Sequence, residues 1–102
     1  MDNEMMYFEM ISNAGEGRSC SMEAIALAKE NKFEEAEKLI EEASEALERC
    51  HKSQTALIQS YAAGENVDTN VLLIHAQDHL MTSMVVRDLA REFIELYKRN
   101  NQ

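Results

Sequence analysis

The sequence contains no proline and only three glycines among 102 residues, so little in it would interrupt a long helix. Tryptophan is also absent, and aromatic residues make up 6% of the chain. Alanine, glutamate, leucine, methionine and lysine are frequent, and these residues favour helices. Because 45% of the residues are hydrophobic, the chain can bury one modest core. We therefore expect a single all-α domain over residues 1–102.

Positive charge is scarce, with 10 Lys and Arg against 19 Asp and Glu and a net charge of −9. Such a chain repels phosphate backbones and anionic lipids, so we expect no nucleic-acid binding. No apolar run approaches the roughly 20 residues of a membrane span, and the first residues lack the basic region of a signal peptide. These features predict a cytoplasmic protein without direct membrane insertion. The two cysteines lack CxxC spacing, and we expect both to be reduced fillers in helices.

Apolar periodicity predicts three helices, at about 4–30, 33–63 and 69–99, which together suit an antiparallel bundle. Polar residues at Asn31-Lys32 separate the first two helices, and Gly64 suits the position after the end of the second. The predicted caps are Asp2 or Asn3 for the first helix and Asp68 or Thr69 for the third.

The first two helices differ in how clearly they show a core face. The first contains Gly15 and Gly17, which predict close packing, a kink or access to a site, and the sequence does not choose among these. The second helix has a heptad pattern with alternating steps of four and three. The residues predicted to face the core are Phe8, Ile11, Ala14, Met22, Ile25 and Ala28 in the first helix, and Ala36, Ile40, Ala43, Leu47, Cys50, Gln54, Leu57 and Tyr61 in the second.

The third helix is apolar on nearly all sides near its middle. One stripe again follows steps of four and three: Val71, His75, Asp78, Thr82, Val85, Leu89, Glu92 and Leu96. Further apolar residues point elsewhere: Leu72, Leu73, Leu80, Met81, Met84, Phe93 and Ile94. Two partner helices in one small bundle would leave part of this surface wet. We therefore expect a second interface made by other copies of the chain.

Three polar residues lie close together on this third helix. At about 100° per residue, His75 lies about 60° to one side of Asp78 and Gln77 about 100° to the other. If the Asp78 stripe follows a threefold axis, His75 of one subunit approaches Gln77 of its neighbour. A ring of three carboxylates would bind a divalent cation such as Mg²⁺ or Mn²⁺, or the repulsion among the carboxylates would raise the pKa of the Asp78 carboxyl group. The alternative is a register-setting polar residue without an ion.

His75 and His79 are four residues apart, which superficially resembles the metal-binding helix of a zinc protease. That reading fails because Ala76 occupies the place of the glutamate base and no third ligand is evident. A nucleophilic imidazole is the better functional hypothesis, since a neutral ring nitrogen can accept a phosphoryl group and pass it on. Its other ring nitrogen needs a hydrogen-bond partner, and Gln77 of a neighbouring chain is the candidate. The alternative is a histidine that only packs in a core.

One notable segment lies in each predicted helix: Ala14–Ser19, His51–Ile58 and Val71–Met84. Together they resemble the lactose/cellobiose-specific enzyme IIA family of the bacterial sugar phosphotransferase system. The longest, Val71–Met84, reads VLLIHAQDHLMTSM and is similar to the family signature. Ala14–Ser19 is similar to the family's first-helix motif, and His51–Ile58 to its second-helix motif. Gly17 and Cys50 depart from the pattern, since the family commonly has alanine at both places.

The resemblance implies a homotrimer of three-helix subunits that acts as a phosphocarrier. His75 would accept a phosphoryl group from phospho-HPr and give it to a cysteine of enzyme IIB. Gln77 would assist a neighbouring His75, Asp78 would meet its copies around a divalent cation, and His79 would be auxiliary. His51 is expected to be structural. The stretch Met81–Met84 favours the cellobiose/chitobiose branch over lactose.

A non-catalytic helical interaction module is the alternative from another class. It is suggested by Phe33–Leu39, which also suits a tetratricopeptide-like helix. No second copy of this stretch appears at a period near 34 residues, as a repeat array requires.

Overall fold

The computed structural model describes residues 3–101, and all regular secondary structure in that range is helical. The helices are α1 (Glu4–Lys29), α2 (Phe33–Ala62) and α3 (Val71–Asn100). The predicted three-helix fold and its bounds are confirmed, with each helix end within two residues of its expected position. None of these helices has the length and apolar character that crossing a bilayer requires.

Two residues with positive φ mark the ends of α1 and α2. Asn31 has φ of 64°, and Gly64 has φ of 85°, which confirms the predicted break after α2. Glycine suits this left-handed conformation because it has no Cβ to collide with the backbone.

The start of α3 differs from the prediction. Asn70, rather than Asp68 or Thr69, caps the helix, and its side-chain oxygen accepts a 2.9 Å hydrogen bond from the Leu73 amide. Polar residues occupy all three positions, so composition alone did not identify the cap. The Tyr7 hydroxyl donates a 3.2 Å hydrogen bond to the Asp68 carbonyl and ties this connection to α1.

At α1 the cap stays partly untested. Asn3 precedes α1 but makes no side-chain capping hydrogen bond, and Asp2 lies outside the described residues.

Helix α1 packs extensively against both other helices, whereas α2 and α3 contact each other less. The bundle measures 55 × 20 × 18 Å, so its core is long and thin. Two apolar clusters fill it, and Ser21 and Ser83 are buried at positions between them. One cluster contains Tyr7, Met10, Ala14, Leu47, Cys50, Leu57, Leu73, Ala76 and Leu80; the other contains Ala24, Ala28, Ala36, Ile40, Ala90 and Ile94.

The predicted core face of α1 was wrong in part. Phe8 and Met22 are 53% and 54% exposed, although Ala14 and Ala28 are buried as expected. Small residues on the true inner face, including Gly17 and Ser21, contribute little to an apolar pattern. The buried residues of α1 are Tyr7, Met10, Ala14, Gly17, Ser21, Ala24 and Ala28.

Gly15 and Gly17 have different roles. A Cβ on Gly17 would come within 2.6 Å of Leu47 Cγ and 2.7 Å of its Cδ2, so the missing side chain lets α1 and α2 approach. A Cβ on Gly15 would meet nothing within 4 Å. Of the predicted alternatives, close packing applies to Gly17, and Gly15 lines an open surface.

The heptad pattern of α2 is largely confirmed. Six of its eight positions are buried, while Gln54 is half-buried and Tyr61 is 75% exposed, so the prediction for Tyr61 was wrong. Both cysteines are free, as expected, and burial raises the pKa of the Cys50 thiol to about 11.

Candidate functional site

One face of α3, here called the outer face, is exposed and mostly apolar. Its direction is that of the Asp78 side chain, and its large hydrophobic residues lie within about 60° of that direction at 100° per residue. Each of them is at least 43% exposed. These residues are Val71, Ile74, Met81, Val85, Leu89, Phe93 and Leu96.

The predicted four-three stripe of α3 is therefore not a seam inside the subunit. All eight of its residues are exposed, and the opposite side of α3 fills the core instead. The residues of that inner side are Leu73, Ala76, Leu80, Ser83, Ala90 and Ile94.

His75 lies at one edge of the outer face, where it is exposed. Its ring contacts the half-buried ring of His79, with centroids 4.7 Å apart and planes tilted by 34°. The two rings share an edge of α3 because they are one helical turn apart. An exposed imidazole backed by a second ring is open to a partner protein, which a histidine that only packs in a core would not be.

His79 also lines a shallow depression of about 440 Å³ between α3 and α1. Gly15, Arg18, Ser19 and Met22 form the α1 side. Arg18 makes no ion pair within residues 3–101, although the chain is strongly acidic. The first-helix motif therefore places a cation, a hydroxyl and an open glycine beside His79, whose ring contacts His75.

Gln77 lies on the other side of α3, facing α2. It is half-buried, and its Oε1 accepts a hydrogen bond from Gln54 Nε2. Within one subunit His75 and Gln77 thus lie on opposite sides of the outer face. The predicted pairing of these two side chains is possible only between subunits.

Asp78 lies at the centre of the outer face and is exposed. Among residues 3–101 no three His, Cys, Asp or Glu side chains come together in a way that could hold a metal ion. A single subunit therefore offers one carboxylate at this position. A cation at Asp78 would need the same residue from other subunits, which its place on an apolar, exposed face allows.

His51 is exposed and lies in a separate depression between α2 and α3, lined also by Glu48, Met84 and Arg87. The structure does not bring it to the edge of α3 that carries His75 and His79.

Gln54 was missed as a site residue. Its place in the heptad pattern of α2 made it look like a core position. The only sign of a functional role was its polar amide within a mostly apolar stripe. Its contact with Gln77 depends on how α2 packs on α3, which local sequence does not reveal.

Comparisons with known proteins identify the family of this chain. The family described as "PTS system, Lactose/Cellobiose specific IIA subunit" matches residues 5–98. The lichenan-specific phosphotransferase enzyme IIA component of Bacillus subtilis is 49% identical over 96 residues, which cover 94% of this chain and 87% of that protein.

Solved structures give the same result for the fold. The cellobiose-specific enzyme IIA from Bacillus anthracis matches with a TM-score of 0.94 and 47% identity, over 99% of this chain and 94% of that one. The enzyme IIA in a IIA(Chitobiose)–HPr complex of the Escherichia coli phosphotransferase system matches with a TM-score of 0.86 and 34% identity, over 100% and 99%. The family match spans all three helices and includes the His75 and Gln77 positions described above. The chain therefore belongs to the lactose/cellobiose-specific enzyme IIA family and is a component of a sugar phosphotransferase system.

Proposed function

We propose that this protein carries a phosphoryl group on His75. A ring nitrogen of the neutral imidazole attacks phosphorus, and the N–P bond forms as the bond between phosphorus and the donor breaks. The ring then returns the group to an acceptor nucleophile, and the N–P bond breaks. The observation that carries this proposal is the exposure of His75 on α3, beside the His79 ring.

HPr is the proposed donor, and a cysteine of enzyme IIB is the proposed acceptor. Support for the donor comes from the similar Escherichia coli protein, which was solved in complex with HPr. The net charge of −9 would speed encounter with a basic partner surface. Both partners must reach one imidazole in turn, which requires a site at the surface.

A homotrimer is the proposed assembly. The outer face of α3 exposes seven large hydrophobic residues along most of the helix, and a continuous exposed apolar patch is typical of an interaction surface. Three copies with their outer faces around one axis would bury these residues. The same arrangement would bring His75 of one subunit toward Gln77 of the next.

In such a trimer the three Asp78 carboxylates would meet at the axis. Mg²⁺ or another divalent cation would offset their repulsion, with water completing the coordination shell. The cation's proposed contribution is to assembly, and the transfer step itself is assigned to His75.

The sugar served by the system is proposed to be a β-linked disaccharide of the cellobiose/chitobiose type, with the lactose type as the alternative. The similarity to proteins named for lichenan, cellobiose and chitobiose supports this choice, and the similarity to a protein named as lactose-specific, at 42% identity, supports the alternative. In this proposal the protein transfers a phosphoryl group and binds no sugar. The sugar specificity proposed here is therefore that of the phosphotransferase system to which the protein belongs.

A transfer assay tests the function. Incubation with phosphoenolpyruvate, enzyme I and HPr should add one acid-labile phosphate per chain, and His75→Gln should abolish the label. His51→Gln is the matched control, because His51 is also exposed but lines the depression between α2 and α3, and it should keep the label. Label that persists in His75→Gln would identify another residue as the carrier.

A further inference from the structure

The contact between Gln54 and Gln77 joins two amides whose direction matters for the chemistry. An amide side chain has a donor end and an acceptor end of nearly the same shape, so the pair could bond in either sense. In one sense Gln77 would present its NH₂ group to the outside, and in the other its carbonyl oxygen. Only the first could bind an anion.

The contact of Gln54 with Met81 favours one of the two senses. Gln54 Nε2 lies 3.9 Å from Met81 Sδ, and the same nitrogen donates to Gln77 Oε1. A thioether sulfur only accepts hydrogen bonds, so a donor must face it. If Gln54 were reversed, its carbonyl oxygen would lie against the sulfur, and two acceptors would repel. Met81 thus favours the orientation in which Gln54 Nε2 donates to Gln77 Oε1.

The Gln77 NH₂ group therefore faces away from Gln54. Within residues 3–101 it has no acceptor of its own, although Gln77 is half-buried. A partly buried donor pair at the margin of the outer face is suited to an acceptor supplied from outside the subunit.

We propose that Gln54 is a positioning residue that holds Gln77 as a hydrogen-bond donor to the phosphoryl group on His75 of the adjacent subunit. The proposal rests on the proposed function and its trimer. It changes the role expected for Gln77, because an amide held this way donates to phosphoryl oxygens instead of accepting the ring N–H. Hydrogen bonds to a charged acceptor are stronger than neutral ones, so this contact would favour the phosphorylated form.

Gln54→Glu tests the direction of the amide. Glutamate has nearly the same shape and helix propensity but only accepts hydrogen bonds when ionised, so Gln77 must turn its NH₂ group inward. At equilibrium with phospho-HPr, the ratio of phosphorylated to free protein should fall about tenfold. Gln59→Glu is the matched control, because Gln59 is exposed on the same helix and its substitution changes the charge equally; this ratio should stay within about twofold of wild type.

A double-variant cycle separates positioning from a general structural effect. In a Gln77→Ala background, Gln54→Glu should have no further effect on the ratio, since its influence passes through the Gln77 amide. The side-chain ¹⁵N resonance of Gln77 should also shift in Gln54→Glu, and circular dichroism should show unchanged helix content.

A tenfold fall that persists in the Gln77→Ala background would overturn the proposal, as would a ratio equal to that of Gln59→Glu. Failure of the proposed function would look different, because the wild-type protein would then take no phosphate on His75.

Discussion

The inner and outer faces of α3 carry similar apolar residues but in different surroundings. Leu80 on the inner face is fully buried, whereas Leu89 on the outer face is 53% exposed. Packing within one subunit explains Leu80 and leaves Leu89 unexplained. The comparison indicates that α3 has two tasks, one in the fold of the subunit and one in contacts with other molecules.

The largest effect on the stability of the subunit is expected on the inner face. Leu80→Ala removes a fully buried side chain from the cluster around Tyr7 and Met10 and should lower the free energy of unfolding by about 3 kcal/mol. Urea denaturation, followed by circular dichroism, measures this. The loss should be the same at every protein concentration, and a change below about 0.5 kcal/mol would contradict the assigned core.

Substitutions on the outer face should change the assembly of subunits into trimers. Leu89→Lys places a charge on the proposed interface and should convert trimers into folded monomers, because a buried unpaired charge is costly. Gln59→Lys adds the same charge at an exposed position of α2 and should leave the trimer intact. Sedimentation measures both variants. If the wild-type protein is a monomer, or if Leu89→Lys remains a trimer, the outer face is not the interface between subunits.

Asp78→Leu should act in the opposite direction on the same face. An apolar residue at the axis needs no counterion, so assembly should persist or strengthen and no longer depend on a divalent cation. Sedimentation with and without a chelator checks this. Dissociation of the variant would contradict the central position proposed for Asp78.

A smaller difference separates the two glycines of α1. Gly17→Ala should destabilise the protein by about 1–2 kcal/mol, because Leu47 occupies the space that a Cβ needs. Gly15→Ala should stabilise it by up to about 1 kcal/mol, since its surroundings are open and alanine favours a helix. Thermal unfolding of the two variants compares their stabilities. If both substitutions change stability equally, Gly17 does not pack closely against α2 as described here.

Much of the fold could be predicted from the sequence, because it has no proline and because Gly64, unlike Gly15 and Gly17, falls between two apolar repeats. Gly64 could be placed for this reason. The face of α1 was harder, since buried Gly17 and Ser21 look neutral in an apolar pattern while Phe8 and Met22 are exposed. A hydrophobic pattern shows which residues could be buried. In this protein some of those residues, such as Phe8 and Met22, are exposed on the surface of the subunit.

The candidate site could be predicted only as far as one helix reaches. Angles along α3 place His75 and Gln77 on opposite sides of Asp78, and the structure has the same arrangement. Gln54 lies on another helix, and its contact with Gln77 depends on the packing of α2 against α3. No local pattern contains that information.

The position of the phosphoryl group tests the central claim most directly. Mass spectrometry of the phosphorylated wild-type protein, fragmented under conditions that preserve N–P bonds, should find one phosphoryl group per chain on His75. A phosphoryl group on His79 or His51 with His75 unmodified would contradict the account.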